Sequence, residues 1–174
     1  MRMRKLILNL CVSLDGFIEG PNGEFDWCFT DMDYGMTRFL AETDTILMGR
    51  KSYDVLQTME GDSFPDHRKV VFSQTLSSIA PPYELASGSA EEIVGRMKTA
   101  GAGKDLWLFG GASLTSSLLN AGLVDELMLS VHPLVLGAGK PLFEGLNGRI
   151  PFTLLRTETF PTGLVQLFYQ FKGA

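Results

Sequence analysis

Apolar positions in this chain gather into short runs separated by Gly, Pro, Asp and Ser, and most of these runs are too short to be helices. Strand-length runs lie at Leu6 to Val12, Thr45 to Met48, Lys69 to Phe72, Leu106 to Phe109, Glu126 to Val135, Phe152 to Thr157 and Leu164 to Phe171, with a weaker one at Tyr83 to Ala86. Helical periodicity fills the stretches between them at Tyr34 to Ala41, Ser52 to Gln57, Ala90 to Ala100 and Ser113 to Ala121. In the last of these, Leu114, Leu118 and Leu119 share a face and Gly122 supplies the stop. Ser89 followed by Glu92 reads as a capping box for the third helix.

Strand and helix alternate through the first two thirds of the chain, which predicts right-handed crossovers and a largely parallel sheet with helices on its faces. Beyond Leu123 the order becomes strand, turn, strand, turn, strand, with Gly137-Ala138-Gly139 and Pro161-Thr162-Gly163 as the turn signals. Antiparallel strands added to one edge of the sheet follow from that change. No repeat or linker interrupts the pattern, so residues 1–174 read as one α/β domain.

Composition narrows the partners. The 174 residues are 45% hydrophobic and include twelve Phe, enough for a sizeable core. The net charge is −5 and the pI about 5.0, and the cations are scattered in ones and twos. Neither a nucleic acid nor an anionic membrane finds a basic stripe here. The N-terminal Met1 to Lys5 is basic and an apolar stretch follows, but Asn9 and Ser13 break that stretch and it ends in Asp15-Gly16, as a strand does. With Cys11 and Cys28 as the only cysteines and no Cys-x-x-Cys, a reduced cytoplasmic protein is expected.

Ligands of open parallel sheets collect at the carboxyl ends of the strands. Four groups fall there: Ser13-Leu14-Asp15-Gly16, Gly49-Arg50-Lys51-Ser52, Phe72-Ser73-Gln74 and Gly110-Gly111-Ala112-Ser113. The last joins a strand to a helix through two glycines, presenting unpaired N–H groups and a positive dipole end that suit a phosphate. Arg50 and Lys51 stand where cations oppose the dipole of their own helix, a conflict that a bound anion resolves. Arg50 is the fork for a phosphate monoester and Lys51 a supporting charge.

Other candidates have an equally simple structural reading. Ser73 suits a strand-end cap as well as a ligand contact, and Asp15-Gly16 suits a turn. Asp26, Asp31 and Asp33 cluster around Trp27 ahead of a helix, where carboxylates serve as caps or, in a cleft, anchor a nitrogen heterocycle or a proton. His67 and His132 show no metal-ligand spacing, so no metal is expected. Ser113 lacks a Gly-x-Ser-x-Gly elbow, which counts against a serine hydrolase.

Taken in order, Ile46 to Tyr53, Val70 to Ser73, Leu108 to Leu114 and Val124 to Leu127 resemble the dihydrofolate reductase superfamily across nearly the whole chain. Val12-Ser13-Leu14-Asp15-Gly16-Phe17-Ile18 and the Leu134 to Gly139 turn look more like the reductase domain of bifunctional riboflavin-biosynthesis proteins, whose deaminase half has no counterpart here. The resemblance implies a three-layer α/β/α fold and an NADPH-dependent oxidoreductase. It implies that Gly49, Arg50, Lys51, Ser52 and Ser73 hold the adenosine 2′-phosphate side. Gly110, Gly111, Ala112, Ser113 and Leu114 would hold the pyrophosphate, with a cis peptide between the paired glycines.

On the substrate side the resemblance implies Trp27 and a carboxylate. Counting sixteen residues back from Gly49 reaches Asp33, whereas counting from Trp27 falls between Asp31 and Asp33. The prolines that flank the tryptophan in dihydrofolate reductases are missing, as is an arginine for the folate glutamate. Asp33 and Asp15 are therefore the catalytic candidates, and the implied small-molecule substrate is a pyrimidine or pteridine resembling that of 5-amino-6-(5-phosphoribosylamino)uracil reductase. A dihydrofolate reductase-like activity on a pterin and a non-catalytic NADP-binding protein stand as alternatives. Apolar faces on the two terminal strands suggest a homodimer.

Overall fold

A computed structural model describes residues 2–173. Eight strands form the central sheet: β1 (Leu6–Ser13), β3 (Thr43–Gly49), β4 (Arg68–Phe72), β5 (Tyr83–Ala86), β6 (Asp105–Gly110), β7 (Glu126–His132), β9 (Phe152–Thr159) and β10 (Val165–Phe171). Their spatial order is β5-β4-β3-β6-β1-β7-β10-β9. All pairs from β5 to β7 are parallel, and β10 joins β7 and β9 antiparallel. The chain starts at the middle of the sheet and winds outward both ways, which opens a crevice at the carboxyl ends of the strands.

Helices cover both faces of the parallel strands, so these carry apolar runs such as Thr45 to Met48 and Leu106 to Phe109 instead of strict alternation. On one face Leu6, Leu8 and Val12 of β1 pack with Leu106 and Leu108 of β6 against α3 (Ala90–Thr99) and α4 (Ala112–Asn120), through Val94, Leu114, Leu118 and Leu119. On the other, Ile7, Ile46, Met48, Trp107 and Met128 pack against Phe39 of α1 (Met36–Glu42) and Leu56 of α2 (Arg50–Gln57). Each such aliphatic side chain contributes roughly 1.5–3 kcal/mol by leaving water.

Several boundaries differ from the pattern reading for local reasons. α1 starts at Met36 and not Tyr34, because Tyr34 and Gly35 both have positive φ (49° and 75°). β7 stops at His132 and not Val135: Pro133 has no N–H to give the ladder, and the Leu134 amide turns back onto the His132 carbonyl at 2.8 Å. The short pairing of β2 (Phe17–Glu19) with β8 (Lys140–Pro141) carries too few residues to show a period. The Ser89 hydroxyl accepts the Glu92 amide at the start of α3, as its spacing predicts.

The ends of β3 and β6 meet glycine on glycine. Gly110 and Gly111 have φ of 144° and 100°, and a Cβ on Gly111 would lie 3.2 Å from the Gly49 Cα. The Gly110–Gly111 peptide is trans; among the described residues the cis bond is Pro81–Pro82, which corrects the expectation carried by the resemblance. Gly111→Ala is expected to destabilise the fold by about 1–3 kcal/mol through its backbone conformation alone, with more from the close contact. Gly148→Ala, where a Cβ meets open space, serves as the control in urea unfolding and should move the midpoint far less.

Candidate functional site

At the carboxyl ends of β3, β4 and β6 lies a cleft of about 510 Å³, within the range of small-ligand and cofactor sites. Three of the four sequence groups line it: Gly49-Arg50-Lys51, Phe72-Ser73-Gln74 and Gly111-Ala112-Ser113, with Leu114 following. Gly110 and Ser52 stand just behind, where a Cβ on Gly110 would lie 3.6 Å from the Ser52 hydroxyl. The fourth group, Ser13 to Gly16, does not line the cleft.

Both α2 and α4 open into this space without a side-chain cap, since Gly49 and Gly111 occupy their N-cap positions. In α4 the first closed turn is the Thr115 amide on the Gly111 carbonyl, so the earlier amides have no helical partner and keep their donors. Arg50 directs Nε to both oxygens of Asp54, at 2.7 and 2.9 Å, which leaves its two terminal nitrogens for another anion. Lys51 is exposed. Ser73 behaves as a cap: its hydroxyl accepts the Thr75 and Leu76 amides at 3.2 and 3.1 Å.

The cleft also contains groups that sequence reasoning missed. Glu91 accepts hydrogen bonds from the Ser117 and Ser89 hydroxyls, which hold its carboxyl below the ordinary range, and Lys140 pairs with Glu144. Glu91 reads in sequence as a first-turn acid of α3, and Lys140 as a residue after a Gly turn. Nothing in either context signals a shared cleft.

Asp15 and Asp33 are placed elsewhere. The Asp15 carboxylate accepts the Ser13 hydroxyl at 2.6 Å and the Leu136 and Gly137 amides at 3.1 and 2.8 Å, clamping the turn after β7. These bonds, Ser13 first, hold its pKa down. Asp33 accepts the Thr37 hydroxyl at 2.6 Å and its amide at 3.0 Å, capping the first turn of α1, and the same bonds lower its pKa. Both are exposed.

Beneath the segment before α1, the sheet face carries a polar row in place of the usual aliphatics: Asn9 and Cys11 of β1, Ser130 and His132 of β7, and Gln166 of β10. His132 is fully buried; its Nδ1 bonds the Ser130 carbonyl at 2.9 Å, and its Nε2 accepts the Phe29 amide at 3.1 Å. These two partners specify the Nδ1–H tautomer. The Trp27 ring stands edge-on to this imidazole, 5.3 Å between centroids. Trp27 Nε1, Asn9 Nδ2 and Gln166 Oε1 are buried without a hydrogen-bond partner among the described residues. Cys11 and Cys28 are free thiols in mutual contact, and the hydrogen bond between them lowers the Cys11 pKa and raises that of Cys28.

The sequence matches the RibD C-terminal domain over residues 4–166. The chain belongs to this family. A relative, the protein YyaP of Bacillus subtilis strain 168, is 45% identical over 99% of this chain and 98% of its own length. Among solved structures, a protein from Shewanella sp. PV-4 named for riboflavin biosynthesis is 24% identical, covering 97% of this chain and 99% of its own, with a TM-score of 0.86. Dihydrofolate reductase from Enterococcus faecalis, complexed with NADP(H) and RAB-propyl, is 15% identical over 99% of both chains, with a TM-score of 0.73. The fold of this RibD C-terminal domain is thus dihydrofolate reductase-like. Among the described residues no helix is long and apolar enough to cross a membrane.

Burial holds the pKa of both His132 and His67 below the ordinary imidazole value. The unfolded chain takes up protons at these sites below about pH 6.5 while the folded domain resists, so stability is full above that pH and falls beneath it. Urea unfolding should show this decline at up to about 1.4 kcal/mol per pH unit for each histidine, before carboxylates protonate at lower pH. His132→Gln should reduce the slope; an unchanged slope would exclude His132 as its source.

Proposed function

We propose that the protein is an NADPH-dependent reductase that directs a hydride onto a C=N or C=O carbon of a small pyrimidine- or pteridine-type substrate, resembling 5-amino-6-(5-phosphoribosylamino)uracil reductase. The observation that carries this reading is the meeting of an arginine fork and two uncapped helix N-termini in one cleft, where glycine-on-glycine contact leaves the backbone bare. Such an arrangement fits a polyanion with two separated phosphate groups.

In this reading the amides of Ala112, Ser113 and Leu114, reached past Gly110 and Gly111, hold the pyrophosphate. The terminal nitrogens of Arg50, supported by Lys51, Ser52 and Ser73, hold the ribose 2′-phosphate. The coenzyme supplies the hydride when bound, and the protein supplies position and electrostatics. On the substrate side, the unmet polar atoms of Trp27, Asn9 and Gln166 offer hydrogen bonds to a polar ring. Asp33 retains one carboxylate oxygen outside its bonds to Thr37, and Asp15 is the other acid at this end of the sheet.

The capping roles of Asp15 and Asp33 favour one alternative, an NADP-binding protein without turnover. Following absorbance of the reduced nicotinamide with candidate pyrimidines and dihydrofolate separates the two, since a binder consumes no coenzyme. At a hundredfold excess over Kd, NADPH should add about 2.7 kcal/mol and raise Tm by roughly 5–11 °C. Arg50→Ala should weaken NADPH about tenfold or more and leave NADH nearly unchanged. Equal losses for both coenzymes would remove Arg50 from the 2′-phosphate site.

We also propose a homodimer built on the β9 edge. Leu154 and Leu155 are about half exposed there, and an apolar groove of about 360 Å³ lies alongside, lined by Leu167, Tyr169 and Phe152. Size measurement in solution should give twice the 19.1 kDa of the chain. Replacing both leucines by Glu should return it to one, and a monomeric parent protein would refute the interface.

A further inference from the structure

The polar row beneath the segment before α1 holds two thiols and an imidazole that neither the cleft nor the proposed reaction uses. Cys11 belongs to β1, Cys28 to the segment before α1 and His132 to the last position of β7. A ligating atom from each lies within 4.8 Å of the other two. We propose that Cys11, Cys28 and His132 form a binding site for a thiophilic divalent ion of the zinc class.

The ligand chemistry is that of zinc: two sulfurs and one imidazole nitrogen. In tetrahedral coordination, Zn–S bonds of about 2.3 Å separate two sulfurs by about 3.8 Å, so the three groups need draw together by about 1 Å or less. His132 is already oriented as metal-bound histidines are. Its Nδ1–H is committed to the Ser130 carbonyl, which fixes the ring and turns the Nε2 lone pair toward the segment carrying Cys28. With Nδ1 donating and Nε2 accepting, the ring is held in the neutral tautomer that coordinates.

The present partner of Nε2 is the Phe29 amide, next in sequence to Cys28, so binding exchanges one backbone hydrogen bond for a metal bond. Each thiol releases its proton to solvent as its sulfur binds, and no redox change occurs. Cys11 and Cys28 are both only partly buried, which leaves a path for the ion. Three protein ligands leave a fourth position for water.

A bound ion would tie β1, β7 and the segment before α1 together at one point. The site lies outside the cleft and stands whether or not the protein binds NADPH.

The test uses the full chain, reduced, stripped with a chelator and titrated with Co²⁺ in the absence of nucleotide. One equivalent is expected, with thiolate-to-cobalt charge-transfer absorption, and Zn²⁺ should displace it. Cys28→Ser and Cys11→Ser should each weaken binding at least tenfold and diminish the charge-transfer band, with circular dichroism confirming the fold. His132→Gln should do the same, and if that buried substitution does not fold, Cys28→Ser decides. Absence of a thiolate band, or the full band and affinity retained in Cys28→Ser, would overturn the site, as would a Cys11–Cys28 disulfide that survives reduction and blocks metal uptake.

Discussion

The close approach of Gly49 to Gly111 governs the architecture around the cleft. Two parallel strands end side by side and each turns immediately into a helix, which crowds backbone against backbone where side chains would normally separate them. With no Cβ on either residue, the helices open from nearly the same point and their dipoles add over one small volume. Side chains at these positions would spread the two N-termini and divide that field.

The fold was legible because the parallel strands are continuous apolar runs and the glycines between them punctuate clearly. Convergence of the Arg50 and Gly111 groups followed from the rule that places ligands at the carboxyl ends of strands, without any need of side-chain detail. What the sequence could not convey was contact between distant residues of ordinary type. Glu91 meets Ser117, and Asp15 reaches Leu136 and Gly137, through turns whose direction depends on the whole sheet. Cys11, Cys28 and His132 defeat a spacing argument for the same reason: the pairing of β1 with β7 sets Cys11 near His132, and the segment before α1 folds over them to bring in Cys28.

The two faces of the sheet divide the labour. The face under α3 and α4 is almost wholly aliphatic and supplies cohesion. The opposite face is aliphatic only as far as Ile7 and Met128, and then changes to amides, thiols and imidazole along β1, β7 and β10. Polar groups there cost stability unless they are partnered, and Asn9 Nδ2 and Gln166 Oε1 have no partner among the described residues. A core optimised for folding alone would extend the aliphatic pattern to the strand ends, and this face departs from that pattern.

The pairing of Arg50 with Asp54 has an effect beyond local charge balance. By gripping Nε from one turn along the same helix, the aspartate fixes the plane of the guanidinium while its outer edge remains in water. In the proposed role, an anion arriving there would meet a fork whose rotational freedom is already reduced, and less entropy would be lost on capture. Selectivity at that spot would then be a matter of shape as well as sign, with an acidic neighbour acting as the brace for a basic hand.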